Sequence, residues 1–275
     1  MPDNTKTFLL GAGAQKAGTT WLYNYIASFG NVETGAYKEL HVWDAMFVPG
    51  FEKFRQSPFR IASHKRYIRW RMQRSTVFYF DYFAGLLDKP GKNFTADITP
   101  GYCALGAKEF AQIKSGFQER GINTKICFLM RDPVERCWSA MRMVRKRGVS
   151  GNDVQLPADE DAALLAYYNS DAARIRSNYP NTVREIEKVF APDEIFFGLY
   201  ETLFDTSSLN ALSAFLGLPV NQSFAQNHFN VSAKVDGISD ATRSIVANHF
   251  HEVYEYCAQR FPETLDHWSG YKFLS

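Results

Sequence analysis

Three short runs along the chain are apolar almost throughout, residues 7–13 (TFLLGAG), 125–130 (KICFLM) and 194–200 (EIFFGLY), and a weaker one spans residues 93–98 (NFTADI). A strand with one face in water alternates apolar and polar positions, whereas a strand covered on both faces does not, so these runs read as members of a parallel sheet. Between them the apolar spacing changes to the helical period, over residues 20–28, 106–119 and 133–146. The last third is mainly helical, most clearly at 209–218 and 240–260. This β-α-β alternation predicts an α/β fold: a central parallel sheet of about four to five strands between layers of helices.

Length and composition narrow the picture without deciding function. The 275 residues contain no repeat, low-complexity tract or long linker, so a single domain, 1–275, is expected. With 45% apolar, 15% aromatic and 22% charged residues, the chain has the make-up of a globular protein. A net charge of +2 gives no general attraction for nucleic acid, so any anion must be held by local clusters. Cys103, Cys127, Cys137 and Cys257 form no C-x-x-C or Cys/His metal spacing, which points to free thiols in a reducing compartment. The first residues lack the basic-then-apolar pattern of a signal peptide. No run reaches the roughly 18 apolar residues that span a bilayer. A cytoplasmic protein without membrane insertion is expected.

The stretch GAGAQKAGTTW, Gly11 to Trp21, closes the first predicted strand and opens the first predicted helix. It has the glycines and hydroxyls of a phosphate-cradling loop, which makes the fold P-loop-like. A triphosphate loop, however, carries lysine directly after its second glycine. Here Thr19 takes that place and Lys16 lies two residues before Gly18. The cradle is kept and the cation is moved, as suits an anionic ligand other than an ordinary magnesium triphosphate.

A second anion site is legible in KICFLMRDPVERCWSAMR, residues 125–142. Asp132, Pro133 and Glu135 follow the strand in the order of an N-cap, a first-turn proline and a capping-box glutamate. Arg131 is thereby fixed at a strand-to-helix corner, beside the positive helix N-terminus. Asp132, Glu135, Arg136 and Ser139 share one helix face, so the Ser139 hydroxyl can point the same way as Arg131. Arginine and serine converging on one oxyanion make a phosphate grip. The plainer alternative pairs Arg131 with Asp132 or Glu135 and leaves Ser139 on the helix surface. In open parallel sheets ligands bind beyond the carboxyl ends of the strands, and both candidate sites fall there.

These motifs resemble the sulfotransferase family that uses 3′-phosphoadenosine 5′-phosphosulfate, PAPS. KAGTTWL is similar to its 5′-phosphosulfate loop, and RDPVERCWSAMR to its 3′-phosphate site, with Arg131 and Ser139 eight residues apart. KELHVWD, residues 38–44, resembles the E-x-H-F-F-D segment of the branch acting on heparan sulfate and other glycosaminoglycans. Glu39, His41 and Asp44 take the places of that segment's glutamate, histidine and aspartate. ADITPGYC, residues 96–103, resembles the E-K-T-P-A-Y-F stretch of that branch, with Ile98 where the branch carries lysine. NVSAKVDG resembles the family's late loop over the nucleotide, with Lys234 as the contact.

The resemblance implies transfer of a sulfonate group from PAPS to a hydroxyl or amine acceptor, a saccharide or small metabolite, leaving adenosine 3′,5′-bisphosphate. Charge builds on the bridging oxygen of the leaving phosphate, where Lys16 is the natural stabilising cation. Backbone amides of Ala17, Gly18, Thr19 and Thr20, with the two threonine hydroxyls, would hold the 5′ end, and Trp21 is a further nucleotide-binding candidate. Glu39 and His41, at i and i+2, share one side of an extended backbone. Glu39 is the expected general base, with His41 its partner or the base itself, while Asp44 and Asp97 are acceptor-side candidates. Protein cations can neutralise the reacting groups, so no metal is expected.

A kinase or nucleotide hydrolase on the same loop would need the Walker lysine, though Asp97 could serve as its magnesium aspartate. A non-catalytic nucleotide- or glycan-binding module is a third reading. The basic stretch at residues 64–74 spreads its charges around a helix whose narrow apolar stripe is Ile61, Ile68 and Met72, and reads as a solvated face. The aromatic run 78–83 reads as core, with the lining of an acceptor pocket as the alternative.

Overall fold

The four apolar runs pair as a single parallel sheet. The structure, a computed structural model, describes residues 5–36, 38–147, 156–225 and 237–275. Strands β1 (Thr7–Gly13), β2 (Phe94–Ile98), β3 (Asn123–Met130) and β4 (Ile195–Leu199) lie in the order β2-β1-β3-β4. Leu9 stands opposite Ala96 on one side and Lys125 on the other, and Phe128 opposite Phe197. Successive strand residues face opposite ways, and Phe8, Leu9 and Leu10 are all fully buried. Both faces are therefore covered, which is why β1 could not afford alternation.

The first helices are α1 (Thr19–Ala27), α2 (Trp43–Phe47), α3 (His64–Met72), α4 (Thr76–Leu87), α5 (Ala107–Gln118) and α6 (Pro133–Arg147). After them come α7 (Glu160–Tyr167), α8 (Asp171–Ser177), α9 (Tyr179–Glu187), α10 (Thr206–Leu216), α11 (Gln222–Ala225), α12 (Asp240–His249) and α13 (His251–Arg260). The aromatic run 78–83 belongs to α4, and its Tyr79, Phe80 and Phe83 are core residues. Phe8 of β1 stacks on Phe117 of α5 with centroids 3.9 Å apart and meets Phe83 edge-on at 5.0 Å. Truncating so enclosed a phenyl ring costs about 3–5 kcal/mol.

The chain leaves β1, builds β2 on one side, then crosses to place β3 on the other. That reversal opens a crevice at the carboxyl ends of β1 and β3, where an open α/β sheet takes its ligand. Every element of the candidate site is attached to this rim.

Local expectations differ from the structure in three places besides Ile61, which lies before α3 and so outside the apolar stripe expected of that helix. The helical pattern at 240–260 is interrupted at Phe250, whose backbone (φ −100°, ψ 20°) ends α12 and lets its buried ring turn inward before α13 begins. The capping box at α6 is half formed: Asp132 Oδ1 accepts the Val134 N–H at 3.0 Å, but the Asp132 N–H donates to Glu201 at 3.0 Å rather than to Glu135. Glu135 is drawn away by Arg131 and Arg243, at 3.6 and 3.2 Å. Third, the backbone around Glu39 and His41 is not extended, with φ of 61° and 50°.

Candidate active site

The loop after β1 is tied to the neighbouring strand, the Ala14 N–H donating to the Leu129 carbonyl at 2.6 Å. Lys16 and Gly18 then take the left-handed region, with φ of 70° and 89°. Gly18 is required there twice over: its conformation strains any L side chain, and a Cβ would lie 2.7 Å from Leu203 Cδ2. Helix α1 starts at Thr19 with no side-chain cap, so its first-turn amides are presented to the crevice. The Trp21 indole N–H is buried without a hydrogen-bond partner.

Arg131, at the end of β3, reaches across to this loop. Its Nη1 donates to the Lys16 carbonyl at 3.1 Å, and its guanidinium lies 4.4 Å from the centroid of Tyr200. Tyr200 also packs against Gly18, where a Cβ would lie 3.3 Å from its ring. Arg131 Nε is buried and has no hydrogen-bond partner. Ser139 is 6% exposed, two turns into α6 on the face that carries Glu135. Glu201, behind Arg131, accepts from the Asp132 N–H and from the Trp268 indole at 3.1 Å, and burial pushes its carboxyl up to about 7.

On the other flank the loop 38–44 hangs from β2, the Glu39 N–H donating to the Ile98 carbonyl at 3.2 Å. Lys38 Nζ meets Glu39 Oε1 at 2.5 Å, and His41 Nε2 lies 4.0 Å from Glu39 Oε2. His41 Nδ1 is 2.6 Å from Oδ2 of Asp44, a fully buried residue, and the ring stacks on Phe54 with centroids 3.8 Å apart. Asp44 thus fixes which imidazole nitrogen carries the proton and leaves Nε2 facing Glu39. Asp97 is 1% exposed and lies behind this loop. Its oxygens accept from the hydroxyls of Thr99, Tyr102 and Tyr79 at 2.7, 2.7 and 3.0 Å, and burial pushes it up to about 6. Tyr102 Oη in turn accepts the Val42 N–H at 3.2 Å, which braces the loop from beneath.

Glu39, the Lys16 loop and Arg131 therefore lie at the carboxyl ends of three adjacent strands, β2, β1 and β3, in that order, Glu39 through its bond to Ile98 and the other two by following their strands in the chain. Asp44 enters the group as the residue that orients His41, whereas Asp97 is enclosed by hydroxyls. Lys234 lies outside the described residues. Arg243 of α12, Glu201 after β4, Arg69 of α3 and Gln73, which caps α3, also reach the site. Arg69 and Gln73 belong to the basic stretch 64–74, so the expectation of a wholly solvated face there is corrected: Gln73 is buried, and both side chains donate to the loop that carries Glu39 and His41. The donors that could hold anionic groups are the uncapped helix amides and Lys16 on one strand end and, on the next, Arg131, which pairs with Glu135 at 3.6 Å and keeps its buried Nε without a hydrogen-bond partner.

The structure is similar to that of a sulfotransferase from Alicyclobacillus acidocaldarius, with a TM-score of 0.58 and 17% identity over 92% of this chain and 94% of that one. The sulfotransferase domain of the Synechococcus PCC 7002 olefin synthase aligns over 83% of this chain and 81% of its own, at 11% identity and a TM-score of 0.45. Mouse sulfotransferase SULT7A1, complexed with PAP, aligns over 86% and 70%, at 16% identity and a TM-score of 0.43. No protein-family model and no curated protein matches the chain. The fold is that of the sulfotransferases, a P-loop-like parallel sheet flanked by helices. Among the described residues, no helix is long and apolar enough to cross a membrane.

Proposed function

We propose that this chain is a PAPS-dependent sulfotransferase acting on a hydroxyl or amine acceptor, a saccharide or small metabolite. The observation that carries the reading is the order along the rim: carboxylate at β2, displaced lysine at β1, arginine at β3, with Arg131 bonded to the loop that holds Lys16. Bound PAPS supplies an activated sulfonate on a phosphate leaving group. The amides at 17–21 and the hydroxyls of Thr19 and Thr20 hold the 5′ end, and Arg131 and Ser139 hold the 3′-phosphate. Lys16 offsets the charge that develops on the leaving oxygen. Glu39 takes the acceptor's proton as its oxygen or nitrogen attacks sulfur, with His41 alongside. The Asp44–His41 bond favours a second assignment, in which His41 Nε2 is the base and Glu39 orients the acceptor. Protein cations carry the neutralisation, so the reading needs no metal.

The kinase or hydrolase reading is weaker, since Thr19 occupies the Walker lysine position and three hydroxyls enclose the Asp97 carboxylate. Calorimetry separates the two. Adenosine 3′,5′-bisphosphate should bind and ATP with magnesium should not, and the reverse result overturns the proposal. Glu39→Gln should keep bisphosphate binding and lose about 10²–10⁴-fold in sulfonate transfer. A larger loss in His41→Asn than in Glu39→Gln moves the base to His41.

A further inference from the structure

The two site residues Glu39 and His41 both adopt positive φ, 61° and 50°, a region that L side chains enter at a cost. Such strain persists only where the surroundings over-determine it, and here the agents are visible. Arg69 Nη2 donates to the Glu39 carbonyl at 2.6 Å. One turn further along, Gln73 Nε2 donates to the His41 carbonyl at 2.5 Å and to the Phe54 carbonyl at 3.1 Å. Gln73 Oε1 accepts the Gln56 N–H at 2.7 Å, and the side chain is 5% exposed. Arg69 lies in α3 and Gln73 is its C-cap, with backbone still helical, so the two, four residues apart, fall on one line of the helix about 6 Å apart along its axis.

Ile68 and Met72, 6% and 1% exposed, seat α3 against the core. The neighbouring line, which carries Arg69 and Gln73, is thereby turned onto the loop instead of into solvent. Gln73 also fixes the segment that contains Phe54, the ring stacked on His41. One glutamine therefore sets both the backbone of His41 and the surface on which its imidazole lies.

We propose that Arg69 and Gln73 are positioning residues that hold Glu39 and His41 in the left-handed backbone from which the carboxylate and imidazole face each other. The catalytic consequence rests on the sulfotransferase reading; the geometric one does not. Two matched pairs of variants test it. Arg69→Met removes the donor and keeps the stem, and Arg69→Lys restores a donor. Gln73→Glu keeps the acceptor for Gln56 and removes both donors, and Gln73→Asn restores an amide.

In the Met and Glu variants the proton shared by His41 and Asp44, followed by proton NMR with a His41→Asn spectrum for assignment, should broaden or vanish. Bisphosphate affinity should stay unchanged. Sulfonate-transfer kcat should fall on the order of a hundredfold with donor KM preserved, as expected for misplaced reacting groups. Arg69→Lys should recover both the resonance and most of kcat. Folded Arg69→Met protein with the wild-type resonance and kcat overturns the proposal; so does loss of thermal stability alone. If wild-type protein binds no bisphosphate, the functional reading fails, while the His41 resonance still decides the positioning role.

Discussion

Replacing Gly101 by alanine plants a methyl carbon 2.1 Å from Oδ2 of Asp44 and 2.9 Å from the ring of Phe51. Gly101 is not in the left-handed region, so the whole effect is steric. Asp44 cannot swing away freely: it is fully buried, Oδ2 is 2.6 Å from His41 Nδ1 and Oδ1 accepts the Ala45 N–H at 2.9 Å. To clear the methyl the oxygen must retreat by about 1 Å, which takes the imidazole contact beyond hydrogen-bonding range. Losing a hydrogen bond to a charged group costs about 1.5–3 kcal/mol, and overpacking a filled site a further 1–3 or so. Gly101→Ala should therefore lose about 3–5 kcal/mol in urea denaturation, with the His41–Asp44 proton resonance gone. Gly85→Ala is the control, because a Cβ there meets nothing within 4 Å and the residue lies inside α4. It should be neutral or stabilising by up to about 1 kcal/mol. Should Gly101→Ala stay within about 1 kcal/mol of wild type and keep the resonance, Asp44 is not wedged against the turn as described.

Burial raises the Asp97 carboxyl from 3.8 to about 6, so the folded chain holds that proton more tightly than the unfolded one. Its contribution is full below about pH 4 and is lost as pH rises through 6, about 3 kcal/mol in all. Glu201, raised to about 7, acts in the same direction, so Asp97→Asn should flatten the pH dependence of denaturation between pH 4 and 6 without abolishing it; an unchanged slope refutes the assignment. Gly18→Ala should weaken bisphosphate binding at least tenfold, because left-handed strain and the contact with Leu203 both displace the start of α1, and unaltered calorimetry would contradict this. Cys103, Cys127, Cys137 and Cys257 are buried, with Cys103 pushed up to about 11 and Cys257 to about 12, so a thiol reagent should label none in the native protein and all four in denaturant.

Much of the fold was legible because parallel strands advertise themselves. A strand covered on both faces is apolar at most positions, and β1 was delimited by that property alone, whereas β2 also buries Thr95 and Asp97. The loop after β1 was legible for the same local reason, since glycines, a lysine and two threonines at a strand end are a contiguous signal. The 39–44 loop was only half legible. Its residues were found, but the i, i+2 spacing suggested extended backbone, and Glu39 and His41 meet instead through a pair of left-handed residues.

The sequence by itself determined what local forces decide: strand and helix, the glycines of the loop, the proline and aspartate that open α6. The tertiary structure alone decided which distant groups act on them. The Arg69 and Gln73 bonds to the loop, the Glu201 bond that displaced the capping box and the Arg243 pair with Glu135 all join residues at least 30 positions apart. Such contacts arise when the core sets the angle at which helices meet the rim of the sheet. A polar side chain on a solvated-looking helix face carries no local mark of the carbonyl it will hold.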